Sequence, residues 1–429
     1  MTTHRTNSPG FDDATAESNR APEALRSSMV EGIAARHEQL GRAMPTAVEA
    51  ALRTVPRHVF APGVELEAAY ADDSLVTKKN ERGVNISSVS APTIIAGMLG
   101  QLDVQPGHRV LEIGSGGYNA ALLAELVGPD GAVTTMDIDP EVVDRARTCL
   151  DRAGYDHVRT LRADGEFGAA EFSPFDRIIA TVGAWDIPPA WREQIVDGGR
   201  MVAPLRTKGL TRSWALQRCG DHLVSRSHLM CGFVPMQGAG EHRGRAVPLY
   251  GDDREQVGLW VDEDQPIDAA ALASAMAGPR AETWSGVVVD KGEFFADQDL
   301  WLVTLPEFCV LTAQQEAIDQ GVVSPSWRLG TPALVEGGTV AYRARLRPAD
   351  PETGQGPYEF GAYAHGPDAP ELADRLAEQI RIWDRDHRAG PEPVLNVFPA
   401  GTPDAELPQG CVLDKRHSRI VLSWSEYTE

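Results

Sequence analysis

The chain is poor in cysteine and in basic residues, and it has no long apolar run. Its five cysteines are odd in number, widely separated and without a C-x-x-C pair, so neither a disulfide framework nor a zinc site is predicted. The eleven histidines show no metal-ligand spacing, and no metal is expected. No segment approaches the length of a membrane-spanning helix, and the polar first residues include no apolar signal region. These absences predict a cytoplasmic protein.

Acidic residues outnumber basic ones. With 40 Lys and Arg against 62 Asp and Glu, the net charge is −22, which argues against nucleic acid or a membrane surface as the main partner. This negative charge favours a neutral or basic substrate. At 429 residues and 42% hydrophobic content, the chain can bury a large core and divide into two or three domains.

The central pattern is a buried strand followed by glycines and a helix. Val110–Ile113 is apolar except for Glu112, residues 114–117 read GSGG, and residues 120–126 have helical apolar spacing. Glycine permits positive φ and close approach of a ligand, and a helix N-terminus offers free N–H groups. Such a loop is also found in ordinary turns, so it does not define a ligand by itself.

Downstream acids favour a nucleotide-like ligand. A second strand over residues 132–136 ends at Asp137, about 20 residues after the glycines, where an acid binds ribose hydroxyls. Asp164 follows a third short strand in an Asp-Gly turn, and residues 176–180 begin a fourth. Glu112 directly before the loop, and the lack of G-x-G-x-x-G, favour S-adenosylmethionine over a dinucleotide.

The N-terminal region is predicted to be a disordered tail followed by helices. Residues 1–25 are polar and define the tail, and a helix is expected from Ala24 to Leu40. Thr46 and Glu49 form a capping-box pattern that predicts a second helix ending by residue 56. Phe60 is interpreted as a core residue.

The segment Ser87–Pro92 is the second stretch whose residues could take part in the chemistry. Pro92 suits the first turn of a helix, so Ser90 is expected near its N-terminus. Ser90 is either an N-cap, or its hydroxyl binds a substrate carboxylate together with free N–H groups at the helix start. The sequence leaves both open.

Seven separated blocks resemble the protein-L-isoaspartate O-methyltransferases across residues 30–236. They read VPRHVF, AYADDSL, SVSAP, VLEIGSGGYNAALLAEL, the turn at Asp164, FDRIIATVGAWDIPP and GGRMVAPL. The resemblance implies a doubly wound Rossmann-like α/β sheet, S-adenosylmethionine as cofactor, and methylation of a side-chain carboxylate in a peptide. The core is accordingly assigned to residues 26–236.

The resemblance also implies site residues. Ser90 and Ser88 take the catalytic positions of the family's T-I-S-x-P block. The cofactor-binding candidates are Glu112, Gly114, Ser115, Gly116, Gly117, Asn119, Asp137, Ile138, Asp164 and Gly165. The substrate-binding candidates are Val89, Thr181, Val182 and Trp185.

Two features depart from the family pattern. The glycine loop is one residue shorter than usual. Trp185 and Asp186 stand where relatives have Ala-Pro. Trp185 is either a core residue or part of a different peptide pocket. Asp186 is expected to repel an acidic neighbour of the target or pair with a basic one.

Residues 237–429 form an extension predicted to be an additional α+β domain. Strand-like runs occur at 286–290, 300–305, 339–346 and 419–424. Residues 370–387 predict an amphipathic helix with Leu372, Leu376, Ile380 and Trp383 on one face. This organisation resembles an actinobacterial subgroup associated with lanthipeptide and other ribosomal peptide pathways. The extension then recognises the peptide, or has a structural or dimerising role; a homodimer is left open.

Three functions remain open at this stage. The resemblance implies methylation of an aspartate in a modified precursor peptide, with closure of the ester to a succinimide (aspartimide). The alternative is general repair of isoaspartyl residues. The third is a catalytically idle cofactor-binding fold that acts as a scaffold, against which Ser90, Asp137 and Asp164 argue.

Overall fold

A computed structural model describes residues 22–81, 83–242, 244–251, 256–261, 265–350, 352–354 and 356–424. Their contacts group into two compact units. The first unit extends to Val110 and includes Ser115–Arg162, and the second comprises Leu111–Gly114 and the chain from Ala163 onward. The division therefore falls within one strand, at the start of the glycine loop, and between Arg162 and Ala163.

The first unit is built of helices and short strands. In chain order these are α1 (Pro22–Gln39), α2 (Thr46–Thr54), α3 (Leu66–Ala69), β1 (Leu75–Lys79), β2 (Asn85–Val89), α4 (Pro92–Leu102), β3 (Arg109–Ile113), α5 (Tyr118–Val127), β4 (Ala132–Asp137), α6 (Pro140–Ala153) and β5 (Arg159–Arg162). Strands β1 and β2 form an antiparallel hairpin, and β4 pairs in parallel with β5 in the order β3-β4-β5.

The predicted strand, glycine turn and helix are confirmed. Gly117 is the N-cap of α5 with φ of 82°, a conformation that glycine adopts without a steric cost. Helix α4 begins at Pro92, as predicted, because its missing N–H needs no partner in a first turn. Helix α6 begins after Asp139, whose carboxylate accepts hydrogen bonds from two backbone N–H groups of the first turn.

Two expectations for the N-terminal region need correction. Helix α1 begins at Pro22, so the last residues of the predicted tail at 1–25 are helical, and residues 1–21 lie outside the described residues. Helix α2 is present, but Thr46 is its first helical residue and makes no capping bond. Pro45 is the N-cap instead, so the capping-box interpretation is wrong.

The second unit is mostly β structure. Its further elements are β6 (Phe175–Ala180), α7 (Pro189–Gln194), β7 (Ile195–Thr207), β8 (Leu210–Cys219), β9 (His222–Met230), β10 (Arg245–Tyr250), β11 (Val257–Val261), α8 (Ala269–Ala275), β12 (Ala281–Val289), α9 (Asp297–Leu302), β13 (Phe308–Ala313), α10 (Gln315–Asp319), β14 (Thr331–Glu336), β15 (Thr339–Arg343), β16 (Arg347–Pro348), β17 (Tyr358–His365), α11 (Ala369–Asp386), β18 (Val394–Pro399), β19 (Cys411–Asp414) and β20 (Ser418–Ser423).

One sheet of the second unit combines strands from distant parts of the sequence. Its order is β3-β6-β7-β8-β9-β18-β20-β19, with β6 and β7 parallel and the pairs from β7 to β19 antiparallel. Asn396 of β18 pairs with Val224 of β9. The last strands of the predicted extension thus continue the sheet of the predicted core, and the boundary at residues 236/237 does not coincide with a division between compact units.

The additional C-terminal sheet is confirmed, and the whole chain has the predicted α/β class. Its strand order is β10-β11-β13-β14-β15-β17-β12, with β16 paired to β17. The predicted face of α11 is buried, including Leu376 and Ile380. Residues 300–305 were expected to be a strand, but Leu300 and Leu302 lie in helix α9, since short apolar runs do not distinguish the two structures. Among the described residues, no helix has the length and apolarity needed to cross a bilayer.

Candidate active site

In the first unit, the glycine loop lies beside the β1–β2 hairpin, which contains Ser88 and is followed directly by Ser90. A Cβ placed on Gly116 would lie 3.7 Å from the Ser88 carbonyl oxygen and 3.9 Å from Val89, which are ordinary contacts. A Cβ on Gly117 would lie only 3.0 Å from Phe60, which is fully buried as predicted. Packing therefore requires a glycine at position 117, whereas a Cβ at position 116 would fit without a clash with the protein.

Asp137 binds the backbone of the glycine loop. Its carboxylate oxygens accept hydrogen bonds from the Ser115 N–H at 3.1 Å and the Asp139 N–H at 2.9 Å. Burial raises the pKa of Asp137, while these two N–H groups favour its charged form. The Ser115 hydroxyl is buried and has no hydrogen-bond partner among the described residues. A buried hydroxyl and a carboxylate with spare acceptor capacity fit a cofactor that has its own hydroxyl and ammonium groups.

The hairpin is attached to helix α6 by charged groups. Lys78 Nζ lies 2.9 and 2.7 Å from the two carboxylate oxygens of Asp139. Arg145 donates to the hydroxyls of Thr77 at 3.0 Å and Ser87 at 3.2 Å. Since Asp139 also donates its N–H to Asp137, the hairpin and the candidate cofactor acid are linked through one residue.

Ser90 is not the N-cap of α4. Ala91 occupies that position without a side-chain cap, so the capping interpretation is wrong. The hydroxyls of Ser88 and Ser90 have no hydrogen-bond partner among the described residues, and both residues are partly exposed. These two hydroxyls are therefore free to bind a ligand.

The start of α4 is occupied by a carboxylate of the protein. Asp72 accepts hydrogen bonds from the Thr93 N–H at 2.9 Å and from the Thr93 hydroxyl at 2.6 Å. Pro92 has no N–H to offer, and the next N–H, that of Ile94, bonds to the Ala91 carbonyl. The expectation that free N–H groups at this helix start help to hold a substrate carboxylate is thus wrong for these positions.

Arg57 is a residue of the site that sequence reasoning missed. It is fully buried and donates to the carbonyls of Ser90 at 3.1 Å and Asp73 at 2.8 Å. Its guanidinium lies 5.6 Å from the ring centroid of Tyr118, the first residue of α5. Burial lowers the pKa of Arg57, and nearby Tyr118 and acidic groups oppose this. The signal in the sequence is the arginine of the block VPRHVF.

In the second unit, the end of β3 packs against the residues after β6. Gly114 has φ of 93°, and a Cβ there would lie 2.8 Å from Val182 and 3.0 Å from the Thr181 hydroxyl. Thr181 donates its N–H to the Ile113 carbonyl at 2.8 Å and its hydroxyl to the Gly114 carbonyl. Glu112 is fully buried within β3. Thr181 and Val182 therefore fix the backbone at the start of the glycine loop.

Asp164 begins a short 3-10 turn over Gly165–Phe167. Its carboxylate accepts from the Glu166 N–H at 3.0 Å and from the Ala239 N–H at 2.8 Å. A Cβ on Gly165 would lie 2.6 Å from Ile113, so packing explains this glycine. Burial raises the pKa of Glu166, and His417, 2.9 Å away, opposes the shift.

Trp185 and Asp186 follow β6 and have different environments. Trp185 is partly buried and stacks on His242 at 4.0 Å between ring centroids. Asp186 is buried and accepts hydrogen bonds from the His417 N–H at 2.6 Å and the Ser418 hydroxyl. Asp186 is thus a structural residue, and the expectation that it acts on the charge of a substrate neighbour is wrong.

The remaining candidates lie on the same elements. Asn119 is buried in the first turn of α5, Ile138 follows β4, and Val89 is buried at the end of β2. Across the described residues, no group of three or more His, Cys, Asp or Glu side chains is arranged to hold a metal ion.

These features define a Rossmann-like methyltransferase that uses S-adenosylmethionine. A model of the protein-L-isoaspartate (D-aspartate) O-methyltransferase family matches residues 31–241. A protein-L-isoaspartate O-methyltransferase from Methanopyrus kandleri is 38% identical over 226 residues, which are 52% of this chain and 96% of the relative. One from Methanococcoides burtonii is 43% identical over 189 residues, 44% of this chain and 90% of the relative. The chain belongs to the protein-L-isoaspartate O-methyltransferase family, and it is a carboxyl O-methyltransferase.

Solved structures with the same family name are also similar. One has a TM-score of 0.47 and 19% identity, covering 86% of this chain and 96% of its own. Another, from Plasmodium falciparum in complex with S-adenosyl-L-homocysteine, has a TM-score of 0.42 and 15% identity, covering 51% and 99%.

Proposed function

We propose that the protein methylates an aspartate side chain in a ribosomally made, modified peptide of the lanthipeptide type. Family membership supports the carboxyl acceptor. The specialised substrate is supported by one observation: about half of the chain lies outside the family match, and this part supplies Lys415 and His417 to the loop of Trp185 and Asp186. A modified Trp185 loop is consistent with a peptide other than a simple linear one.

The cofactor side of the site is assigned from the glycine loop and the acids. In this proposal Asp137 and Asp164 bind the adenosine part, while the orphaned Ser115 hydroxyl, the glycines and Asn119 line the cofactor. S-adenosylmethionine supplies a methyl group activated by its positively charged sulfur. Because that charge is lost during transfer, a strongly anionic surface at the methyl group would favour the ground state and slow the reaction.

On the acceptor side, the site must position the aspartate carboxylate of the peptide, and it needs little acid-base chemistry. An aspartate carboxylate has a pKa near 4 and is already the nucleophile at neutral pH. Ser90 and Ser88 have free hydroxyls that would orient one carboxylate oxygen for in-line attack. Arg57 holds the Ser90 backbone from within the core, so the hydroxyl is presented from a fixed position.

The methyl ester then enables ring closure. The backbone nitrogen of the next peptide residue attacks the ester carbonyl, loses its proton, and displaces methanol to give a succinimide. This step needs no further reactant, and the protein need not catalyse it.

A comparison of two substrates tests the proposal. Purified protein and labelled S-adenosylmethionine are incubated with a linear isoaspartyl peptide. In a separate reaction they are incubated with a ring-modified precursor peptide from the gene neighbourhood of this protein. Label transferred only to the precursor, followed by loss of methanol, is expected. Ready transfer to the linear peptide would instead establish the alternative, general repair of isoaspartyl residues. Transfer of label to neither peptide would leave only the scaffold function.

A further inference from the structure

The turn between β19 and β20 of the C-terminal segment reaches the loop that follows β6. Lys415 donates hydrogen bonds from its ammonium to the carbonyl oxygens of Trp185 and Arg206, the latter at 2.5 Å. The same ammonium lies 5.2 Å from the centroid of the Trp185 ring. A single lysine thus contacts both the backbone and the indole of Trp185, from a position 230 residues later in the chain.

The turn holds the next residue of the loop as well. The carboxylate of Asp186 accepts from the His417 N–H and the Ser418 hydroxyl, and this carboxylate is buried. Buried carboxylates are stable only when hydrogen-bonded, so the loop and the turn depend on each other. Two successive loop residues are therefore fixed by contacts with the turn between β19 and β20 and with Ser418, the first residue of β20.

The other side of the turn contacts the segment around Asp164. Arg416 donates to the Ala239 carbonyl at 2.9 Å, and Ala239 donates its N–H to Asp164. His417 lies 2.9 Å from Glu166, which follows Asp164 in the 3-10 turn. The side-chain contacts of Arg416 and His417 with this segment are thus separate from those of Lys415, whereas the backbone N–H of His417 contacts Asp186 in the Trp185 loop.

We infer that Lys415 is a positioning residue for peptide binding, and that Arg416 positions the Asp164 segment for cofactor binding. The inference rests on the proposed function, since it takes Trp185 as a substrate residue and Asp164 as a cofactor residue. The C-terminal segment then acts on the site through these contacts, in addition to any direct contact with the peptide. Replacing Lys415 should therefore change peptide binding, whereas replacing the adjacent Arg416 should change cofactor binding.

Full-length variants test the inference. Lys415→Met removes both hydrogen bonds while keeping the aliphatic chain, Lys415→Arg retains a charged donor, and Lys291→Met is a matched control on an exposed loop of the extension. Methyl-transfer kinetics use whichever of the two peptide substrates the wild type accepts. Calorimetry gives the Kd for S-adenosyl-L-homocysteine, and hydrogen exchange reports on residues 183–187.

Lys415→Met should raise the peptide KM about tenfold, the effect of losing a charge-assisted hydrogen bond, with kcat and the Kd little changed. Hydrogen exchange over residues 183–187 should become faster. In Lys415→Arg, both the peptide KM and this exchange rate should be close to those of the wild type. Arg416→Met should instead weaken S-adenosyl-L-homocysteine binding about threefold and leave the peptide KM unchanged. Lys291→Met should behave as wild type.

A wild-type KM and wild-type exchange in Lys415→Met would overturn the inference. So would an equal loss of peptide and cofactor binding in both turn variants, because that pattern indicates general loosening of the fold. If the wild type methylates neither peptide, the proposed function fails by itself. Hydrogen exchange and the Kd for S-adenosyl-L-homocysteine then still decide whether the turn positions the two segments.

Discussion

Replacing Arg57 should damage both stability and methyl transfer. Its guanidinium is fully buried and bonds to the carbonyls of Ser90 and Asp73. Each bond from a charged donor contributes about 1.5–3 kcal/mol, but removing the cation also removes the cost of burying it, so the net loss for Arg57→Met should be about 2–4 kcal/mol. Ser90 loses its backbone anchor at the same time, so kcat should fall even at temperatures where the variant is folded.

Urea unfolding and methyl-transfer kinetics separate these two effects. Arg53→Met is the matched control, because Arg53 is 40% exposed and pairs with Glu49 on the same helix, an interaction of about 0.3–0.5 kcal/mol. Arg57→Lys keeps the charge but loses the planar fork that reaches two carbonyls, so it should restore stability only in part. If Arg57→Met unfolds at the same urea concentration as Arg53→Met, or keeps the wild-type kcat, the anchoring role is refuted.

Four other variants have defined outcomes. Ser90→Ala should slow methyl transfer with the Kd for S-adenosyl-L-homocysteine within about twofold, since its hydroxyl has no hydrogen-bond partner in the described part of the chain; collapsed cofactor affinity would contradict this. Gly117→Ala should lower the unfolding free energy by about 1–3 kcal/mol because φ is 82°, whereas Gly116→Ala should cost about 0.5 kcal/mol or less in denaturant melts of the apoprotein. Burial, aided by Arg280, lowers the pKa of His365 below 6.5. Below that pH the unfolded chain gains a proton that the folded chain does not, so stability declines, and His365→Phe should remove this part of the decline.

Local patterns were sufficient to predict the strand and turn around the glycine loop. The apolar run before Gly114, the helical spacing after Gly117 and the position of Asp137 are each read within a few residues. The binding of Asp72 at the start of α4 was not predictable in this way. Asp72 lies 21 residues before Thr93, and nothing in the intervening sequence indicates that its carboxylate binds there.

Long-range contacts explain the other differences. The sequence does not indicate that Asp186 is buried, because its partners, His417 and Ser418, are more than 230 residues away. The segment at 300–305 has the apolar pattern of a strand, yet Leu300 and Leu302 lie in helix α9, whose Asp299 forms ion pairs with Arg212 and Arg343. Side-chain charge partners of this kind leave no periodic signal.

The pairing of β18 with β9 changes how the extension should be tested. A chain cut at residue 236 would lose β18, expose the edge of β9 and remove Lys415 from the Trp185 loop. Loss of activity in such a fragment would not distinguish whether the extension recognises the peptide, supports the sheet or positions the loop. Point variants in the β19–β20 turn leave the sheet pairing intact, because their side-chain bonds lie outside the ladder of β18 and β20. A selective change in peptide KM therefore reports on the loop, whereas loss of activity on truncation reports only that the last strands belong to the same sheet.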